Sequence, residues 1–280
     1  MRIAITGSNG QLGRALQGRL AEHTLMPIDL PDYDITDLRA ISAAVRTFAP
    51  DVVLHCAAIT DVDGCERNPD VAYRVNVLGT RNMAVTALQN QAAMVYIGTD
   101  YVYDGTSTAP YREDDPVHPL SVYARTKWLG EEQVRRLVAR HYVVRVAWLY
   151  GDGPRNFVRT VLRLADERDE VSMVTDEWGS PTYAVDVAAA LEQLIQLPAY
   201  GTYQLPNSGV CSRYDWAVEI LRLAGRSADL RVKPSENYQR LAQVPKHVEM
   251  RNFNGAELGI VMRPWQEALR ACMDEWGLLA

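Results

Sequence analysis

The sequence predicts an α/β chain built on one doubly wound parallel sheet, with a smaller lobe toward its C-terminus. Three observations carry this. Short β-branched apolar runs alternate with amphipathic helical stretches through residue 151, and that alternation requires parallel strands joined by right-handed crossovers. The first run passes straight into a glycine-spaced loop, "TGSNGQLG" (6–13), and then a helix. Beyond residue 151 the rhythm loosens into helices with few strands. At 280 residues the chain is long enough for a main domain and a lobe.

The elements follow in order. "RIAIT" (2–6) reads as a buried parallel strand. Residues 10–23 place Leu12, Leu16 and Leu20 on one helical face. "LMPIDL" (25–30) is a second strand, and 37–50 a helix that stops at Pro50. "DVVLHCAA" (51–58) is a third strand. One long helix is expected over 70–91, a fourth strand over 92–99, a helix over 121–140 and a fifth strand over 142–151. In the second half, 154–167 is a helix, 177–197 a Gly-Pro loop opening into another, and "GTYQLP" (201–206) a strand returning to the sheet. Two more helices, about 212–225 and 264–277, flank a polar stretch containing proline. No repeat or low-complexity segment interrupts this pattern.

Composition narrows the function. The net charge of −6 argues against nucleic-acid binding, which needs a concentrated basic face. The cluster Arg135, Arg136 and Arg140 has helical spacing and reads as a solvated face. Cys56, Cys65, Cys211 and Cys272 form no C-x-x-C pair, so neither a metal site nor a disulfide framework is expected. No apolar run approaches the roughly 18 residues of a membrane span, and "MRIAITGS" opens a strand instead of a signal segment. The expectation is a soluble, cytoplasmic protein with no membrane partner.

Gly7, Gly10 and Gly13 are spaced G-x-x-G-x-x-G between a strand and a helix. One glycine permits the tight turn, one lets backbone approach a pyrophosphate, and one lets the helix pack against the sheet. The helix N-terminus offers N–H groups and a positive dipole end to phosphate. This is the Rossmann arrangement for a dinucleotide, with Gly7, Asn9, Gly10, Gln11, Leu12 and Gly13 as expected contacts. Asp29 ends the second strand, 19 residues after Gly10. It can accept from the adenosine ribose hydroxyls, or it can be a loop aspartate. As a ribose acceptor it favours NADH; Arg14 and Arg39 are the nearby cations for NADPH, and Arg14 is expected to face solvent. The expected division is a dinucleotide-binding domain of residues 1–149, rejoined by about 182–206. Residues 150–181 and 207–280 would form the substrate-binding lobe.

Thr99 closes the fourth strand, and Tyr123 and Lys127 open the next helix. Strand C-termini and helix N-termini line one crevice in such a sheet, and a spacing of four puts Tyr123 and Lys127 on one face. A lysine charge beside a phenol lowers its pKa from ~10, which suits an acid/base role. Thr99 can hydrogen-bond a substrate carbonyl. Hydride would come from NADPH or NADH.

Beyond these elements, "ITGSNGQLGRAL", "AAITDVDGCERNPDVAYRVNVLGTRNMA", "GTDYVYDGTSTAPYREDDPVHPLSVYARTKWLGE", "AWLYG", "NFVRTVLRLA" and "GSPTY" resemble the dTDP-4-dehydrorhamnose reductase family of extended short-chain dehydrogenase/reductases along most of the chain. The resemblance implies reduction of the 4-keto group of a dTDP-6-deoxyhexose. It implies Tyr123 as proton donor, Lys127 as ribose holder, and Thr99 and Asp100 facing the sugar. Ala57, Ala58 and Thr60 would line the cofactor, and Asp34 and Ile35 the adenine. Trp148, Asn156, Trp178, Pro181 and Arg251 are the further substrate-side candidates, with Trp148 also readable as a strand-end aromatic and Trp178 as lobe filling. Arg251, with Arg155 behind it, is the expected diphosphate partner. A small-molecule nucleotide sugar is thus the expected partner, and a homodimer is left open.

The chain departs from the family pattern at Gly98, where serine is usual, at Ala124, where glycine is usual, and in "MRNFNGAEL", which retains Arg251 and Asn254 but lacks the usual Pro and Ser. Related dehydratases carry Glu where Tyr101 stands, so a dehydratase acid pair is missing. A 4-epimerase would share Tyr123 and Lys127. A non-catalytic regulatory subunit would retain the cofactor fold, and turnover separates it from a reductase.

Overall fold

A computed structural model describes residues 1–153, 156–168, 170–226 and 240–280, together with the backbone of 231–235. Strand β1 (Arg2–Thr6) feeds the glycine loop and α1 (Gln11–Arg19); β2 (Thr24–Ile28), α2 (Leu38–Phe48) and β3 (Val52–His55) follow. Short helices α3 (Val62–Arg67) and α4 (Pro69–Tyr73), a π-helical segment (Arg74–Gly79) and α5 (Thr80–Gln89) lead into β4 (Ala93–Thr99), α6 (Val122–Leu137) and β5 (His141–Val146). The second half runs β6 (Leu149–Tyr150), α7 (Phe157–Glu167), β7 (Glu170–Val174), β8 (Trp178–Gly179), β9 (Thr182–Tyr183), α8 (Ala184–Leu194) and β10 (Gly201–Gln204). It ends with β11 (Cys211–Ser212), α9 (Arg213–Leu223), β12 (Arg231–Ser235), α10 (Asn254–Glu257) and α11 (Trp265–Glu275).

Six strands form one sheet in the order β10-β5-β4-β3-β1-β2, and every adjacent pair is parallel. Alternate residues of each strand feed opposite faces. Ile3, Ile5, Leu54, Val95 and Val144 pack against Leu12 and Leu16 of α1 and Val187 and Leu191 of α8. Ala4, Val53, Met94, Tyr96 and Val143 pack against Ile41, Met83 and Val134 of α2, α5 and α6. Because both faces are covered, all seven residues of β4 are buried. Pro27 is tolerated in β2 because that strand is the sheet edge. The chain reverses direction across the sheet between β1 and β3, and their carboxyl ends open the crevice where such folds bind ligands. A separate core of Tyr150, Val158, Trp216, Ile220, Trp265 and Leu269 holds α7, α9 and α11 together.

Three elements differ from expectation. The helix expected over 70–91 is broken by the π-helical turn. Asn76 is drawn out of register because its Oδ1 accepts from Ile59 N (2.8 Å) and its Nδ2 donates to Ile59 O (3.2 Å). Gly130 of α6 packs against the same turn, where a Cβ would sit 2.5 Å from Asn76 O. The strand expected over 142–151 is interrupted at Trp148, whose φ is +43°, so β5 and β6 belong to different sheets. Finally, β7 and β12 pair in parallel as a small two-stranded sheet that the sequence reading placed nowhere.

Candidate active site

The floor of the crevice is the turn from β1 into α1. Gly7 has φ +65°, and a Cβ there would meet Ala57 N at 2.8 Å; a Cβ on Gly13 would lie 2.2 Å from Gly7 O. The glycines therefore hold three backbone segments closer than any side chain permits. Gly10 caps α1 with no side-chain hydrogen bond, and the first turn carries no acid, so no side chain claims the free N–H groups of that helix end. Asp29 Oδ2 accepts from Asn9 N (2.8 Å) and Oδ1 from Leu30 N (2.9 Å). It fixes the glycine loop, and a carboxylate retains further lone pairs for a ligand hydroxyl. These are the features a dinucleotide pyrophosphate and ribose need, so the residues present fit that cofactor.

The reactive groups converge where β4 meets α6. Ser121 Oγ caps α6 by accepting from Ala124 N (3.2 Å), and Val122 N donates to Glu66 Oε1 (2.7 Å). That start places Tyr123 and Lys127 one turn apart on the cavity wall. Thr99 lies beside the Tyr123 phenol and donates to Asp100 Oδ1 (3.0 Å), while its oxygen accepts from Tyr101 N (3.2 Å). The Lys127 ammonium donates to Ile97 O (2.7 Å) and lies 4.4 Å from the centre of the Tyr96 ring.

The electrostatics correct one expectation. Burial raises the Tyr123 pKa above the ordinary phenol value, the Thr99 hydrogen bond opposes this, and Asp100 and Tyr101 add to it. Lys127 does not lower it: desolvation outweighs a remote charge here, and the ammonium is committed to the Ile97 carbonyl. The phenol thus holds its proton at neutral pH, the state a proton donor requires. Burial lowers Lys127 to about 8, against the charges of Cys56 and Glu131. Burial also lowers His55, the last residue of β3, to about 3, so it stays neutral between Thr6 Oγ1 (2.7 Å) and Thr80 Oγ1 (3.0 Å). Asp100 is pushed up to about 7 by burial, with the Thr99 hydrogen bond and the Arg213 charge opposing.

The far end of the cavity is aromatic. The Trp148 indole lies over Gly179, where a Cβ would come within 2.6 Å of Cε2, and stacks on Trp216 at 5.9 Å and 19°. The Arg213 guanidinium sits 3.5 Å above the Trp148 ring. Tyr101 meets the Tyr123 ring edge-on at 5.8 Å. One continuous cavity of about 1010 Å³ joins this end to the glycine loop. That is the top of the ~300–1,000 Å³ range for small-molecule sites, and it leaves room for two ligands side by side.

A family model, the RmlD substrate binding domain, matches residues 1–277. The chain belongs to this family. A dTDP-4-dehydrorhamnose reductase from Clostridium acetobutylicum superposes with a TM-score of 0.95 at 41% identity, over 99% of this chain and 100% of that one. The dTDP-4-dehydrorhamnose reductase of Bacillus anthracis, solved in complex with NADP, gives 0.94 at 37% identity, over 98% and 99%. A spore coat polysaccharide biosynthesis protein of Bacillus subtilis is 37% identical over 276 residues, 98% of this chain and 97% of that one.

In this member of the RmlD family, every expected cofactor contact lines the cavity: Gly7, Asn9, Gly10, Gln11, Leu12, Gly13, Asp29, Asp34, Ile35, Ala57, Ala58, Thr60, Tyr123 and Lys127. Thr99, Asp100 and Trp148 line it as well. Four substrate-side candidates do not. Asn156 caps α7, accepting from Arg159 N (2.9 Å) and donating to Gly151 O (2.9 Å). Pro181 is buried between β8 and β9. Trp178 packs beside His247 at 6.2 Å and is 40% exposed. Arg251 is exposed, its backbone N bonded to Tyr111 O and its guanidinium over Phe253. Arg155 lies outside the described residues. Arg213 was not anticipated from the sequence. Its one local signal is a cation in the first turn of a helix, where the dipole disfavours positive charge.

Proposed function

We propose that this chain reduces the 4-keto group of a dTDP-6-deoxy-4-ketohexose, converting dTDP-4-dehydro-L-rhamnose to dTDP-L-rhamnose with NADPH or NADH. The observation that carries the reading is the convergence of Thr99, Tyr123 and Lys127 midway along a cavity that has a glycine cradle at one end and an aromatic shelf at the other. Relatives named dTDP-4-dehydrorhamnose reductase cover nearly the whole chain, which supports the same substrate class.

A dihydronicotinamide held by the Gly7–Gly13 loop and Lys127 would supply the hydride for the substrate's C4. Tyr123 delivers the proton to the carbonyl oxygen, and its raised pKa keeps that proton available at neutral pH. Thr99, beside Tyr123, would turn its hydroxyl from Asp100 Oδ1 to donate to the substrate carbonyl and so orient it. Lys127, buried and held by Ile97 O, is the cation beside the reacting centre and the group to hold the nicotinamide ribose. The Gly7–Gly13 loop and the N-terminus of α1 take the pyrophosphate, and Asp29 the adenosine ribose. Trp148 and Tyr101 form the apolar walls for the deoxysugar.

Residues 1–149 with 182–206 act as the dinucleotide half, in keeping with β10 as the sixth strand of the sheet. Residues 150–181 and 207–280 supply the substrate side through Arg213. The reading extends to a cytoplasmic enzyme, consistent with four free cysteines. The test is NADH and NADPH absorbance during incubation with dTDP-4-dehydro-L-rhamnose. Oxidation matched by dTDP-L-rhamnose supports the assignment. Cofactor binding without turnover points instead to a regulatory subunit.

A further inference from the structure

Arg213 is the first residue of α9, held there by a reciprocal cap in which Ser212 Oγ accepts from Asp215 N (3.0 Å) and Asp215 Oδ2 accepts from Ser212 N (3.0 Å). Its guanidinium lies flat over Trp148 at 3.5 Å, with Phe157 and Trp216 at 5.5 and 5.8 Å. A stacked guanidinium keeps its in-plane N–H edge free, and that edge matches a planar or tetrahedral oxyanion. Among the described residues no hydrogen-bond acceptor meets it. Arg213 is half-buried and lines the cavity, so its unclaimed N–H edge faces space that a ligand acceptor can enter.

The charges in the cavity say which acceptor. Among the described lining residues only Lys127 and Arg213 are basic. Lys127 already donates to Ile97 O beside Tyr123. The neighbouring Arg240 is paired with Glu177 at 2.8 Å and does not line the cavity. Of the acids whose charge couples to Arg213, Glu177 is already paired with Arg240, and burial raises Asp100 to about 7, which weakens its charge at neutral pH. A nucleoside-diphospho deoxysugar carries its negative charge on the diphosphate alone; the sugar has none.

We propose that Arg213, stacked on Trp148, is the residue that recognises the diphosphate of the nucleotide sugar and so selects nucleotide-linked over free sugars. The inference rests on the reductase reading above. It replaces Arg251 in that role and assigns the substrate's anion to a residue of the later lobe.

The test is calorimetric binding of dTDP and of thymidine to the NADH-loaded protein, wild type against Arg213→Met and Arg213→Lys. Loss of charge-assisted hydrogen bonds should weaken dTDP binding by roughly 10–100-fold in Arg213→Met. Thymidine and NADH affinities should stay at wild-type level, and Arg213→Lys should recover part of the loss. An equal loss for dTDP and thymidine, or no loss for dTDP, overturns the assignment. Arg213→Lys preserves the stem and charge, so it decides the matter if Arg213→Met does not fold: a wild-type dTDP/thymidine affinity ratio in Arg213→Lys would refute recognition by the guanidinium fork. Turnover separates the two proposals. Wild-type protein that binds dTDP but does not reduce the keto sugar sinks the reductase reading and leaves Arg213 standing. Normal turnover with unchanged dTDP binding in Arg213→Met does the reverse.

Discussion

Replacing Asp100 by Asn should stabilise the protein, and by an amount that depends on pH in one direction only. Asp100 is 3% exposed, faces Thr99, Tyr101, Tyr123 and the Arg213 charge, and is raised from 3.8 to about 7. Each pKa unit is about 1.36 kcal/mol of difference between the protonation states. Ionised Asp100 therefore costs the folded state on the order of 4 kcal/mol. The folded value lies above the unfolded one, so the contribution is intact below the unfolded pKa and is lost as pH rises through the folded pKa. The penalty grows between roughly pH 4 and pH 7 and is constant above. Asn keeps an oxygen that can accept from Thr99 Oγ1, with no charge to bury. Urea unfolding of wild type and Asp100→Asn at half-unit steps from pH 5 to 8.5 should show the variant's advantage rising to about pH 7 and then levelling. A gap that is flat across this window would refute the argument that burial controls Asp100.

The other predictions concern catalysis and cofactor. Tyr123→Phe removes the proton and keeps the ring, so kcat should fall by roughly 10²–10⁴-fold with cofactor affinity nearly unchanged; wild-type turnover would exclude Tyr123 as donor. Gly13→Val puts carbon where Gly7 O stands 2.2 Å from the Cβ position, and dinucleotide binding measured by fluorescence should be lost while the fold, followed by circular dichroism, persists. Around Asp29 the lining residues Leu30, Tyr33 and Asp34 include no cation, so kcat/KM with NADH should at least equal that with NADPH. A tenfold or greater preference for NADPH, about 1.4 kcal/mol, would show that Asp29 does not face the ribose.

What the sequence showed and what it hid follow from the range of the interactions. Residues 2–6 and 93–99 read as strands because each is a short apolar run buried on both faces. The glycine loop, Thr99, Tyr123 and Lys127 were legible because their chemistry depends on spacing within one strand–helix unit. β7 was not legible: its stabilising partner is β12, whose "RVKPS" has one β-branched residue beside a lysine and a proline, a weak strand signal. The π-helical turn was invisible because its cause is a contact between Asn76 and Ile59 across the fold. At the substrate end the candidates Asn156, Trp178, Pro181 and Arg251 were chosen by residue type and position along the chain, without the tertiary pairing that places them. Which of the later residues reach the cavity is decided by how β8 and β11 pair, and that pairing brings in Arg213.

The two ends of the cavity recognise charge by different physics, and this separation matters for a site that must hold two phosphate-bearing molecules at once. Among the described residues the glycine end has no lining cation; it presents backbone N–H groups at a helix terminus, a geometry that fits a pyrophosphate bent around a tight turn. The shelf end has a full positive charge on a stacked guanidinium, which discriminates mainly by charge and by the flat edge it offers. Lys127 lies between them. Its bond to Ile97 O holds the ammonium against β4 beside Tyr123, away from both cavity ends. On the proposed reading, the diphosphate and the pyrophosphate are thereby drawn to opposite ends, and the reacting carbonyl is left beside Tyr123 and Thr99.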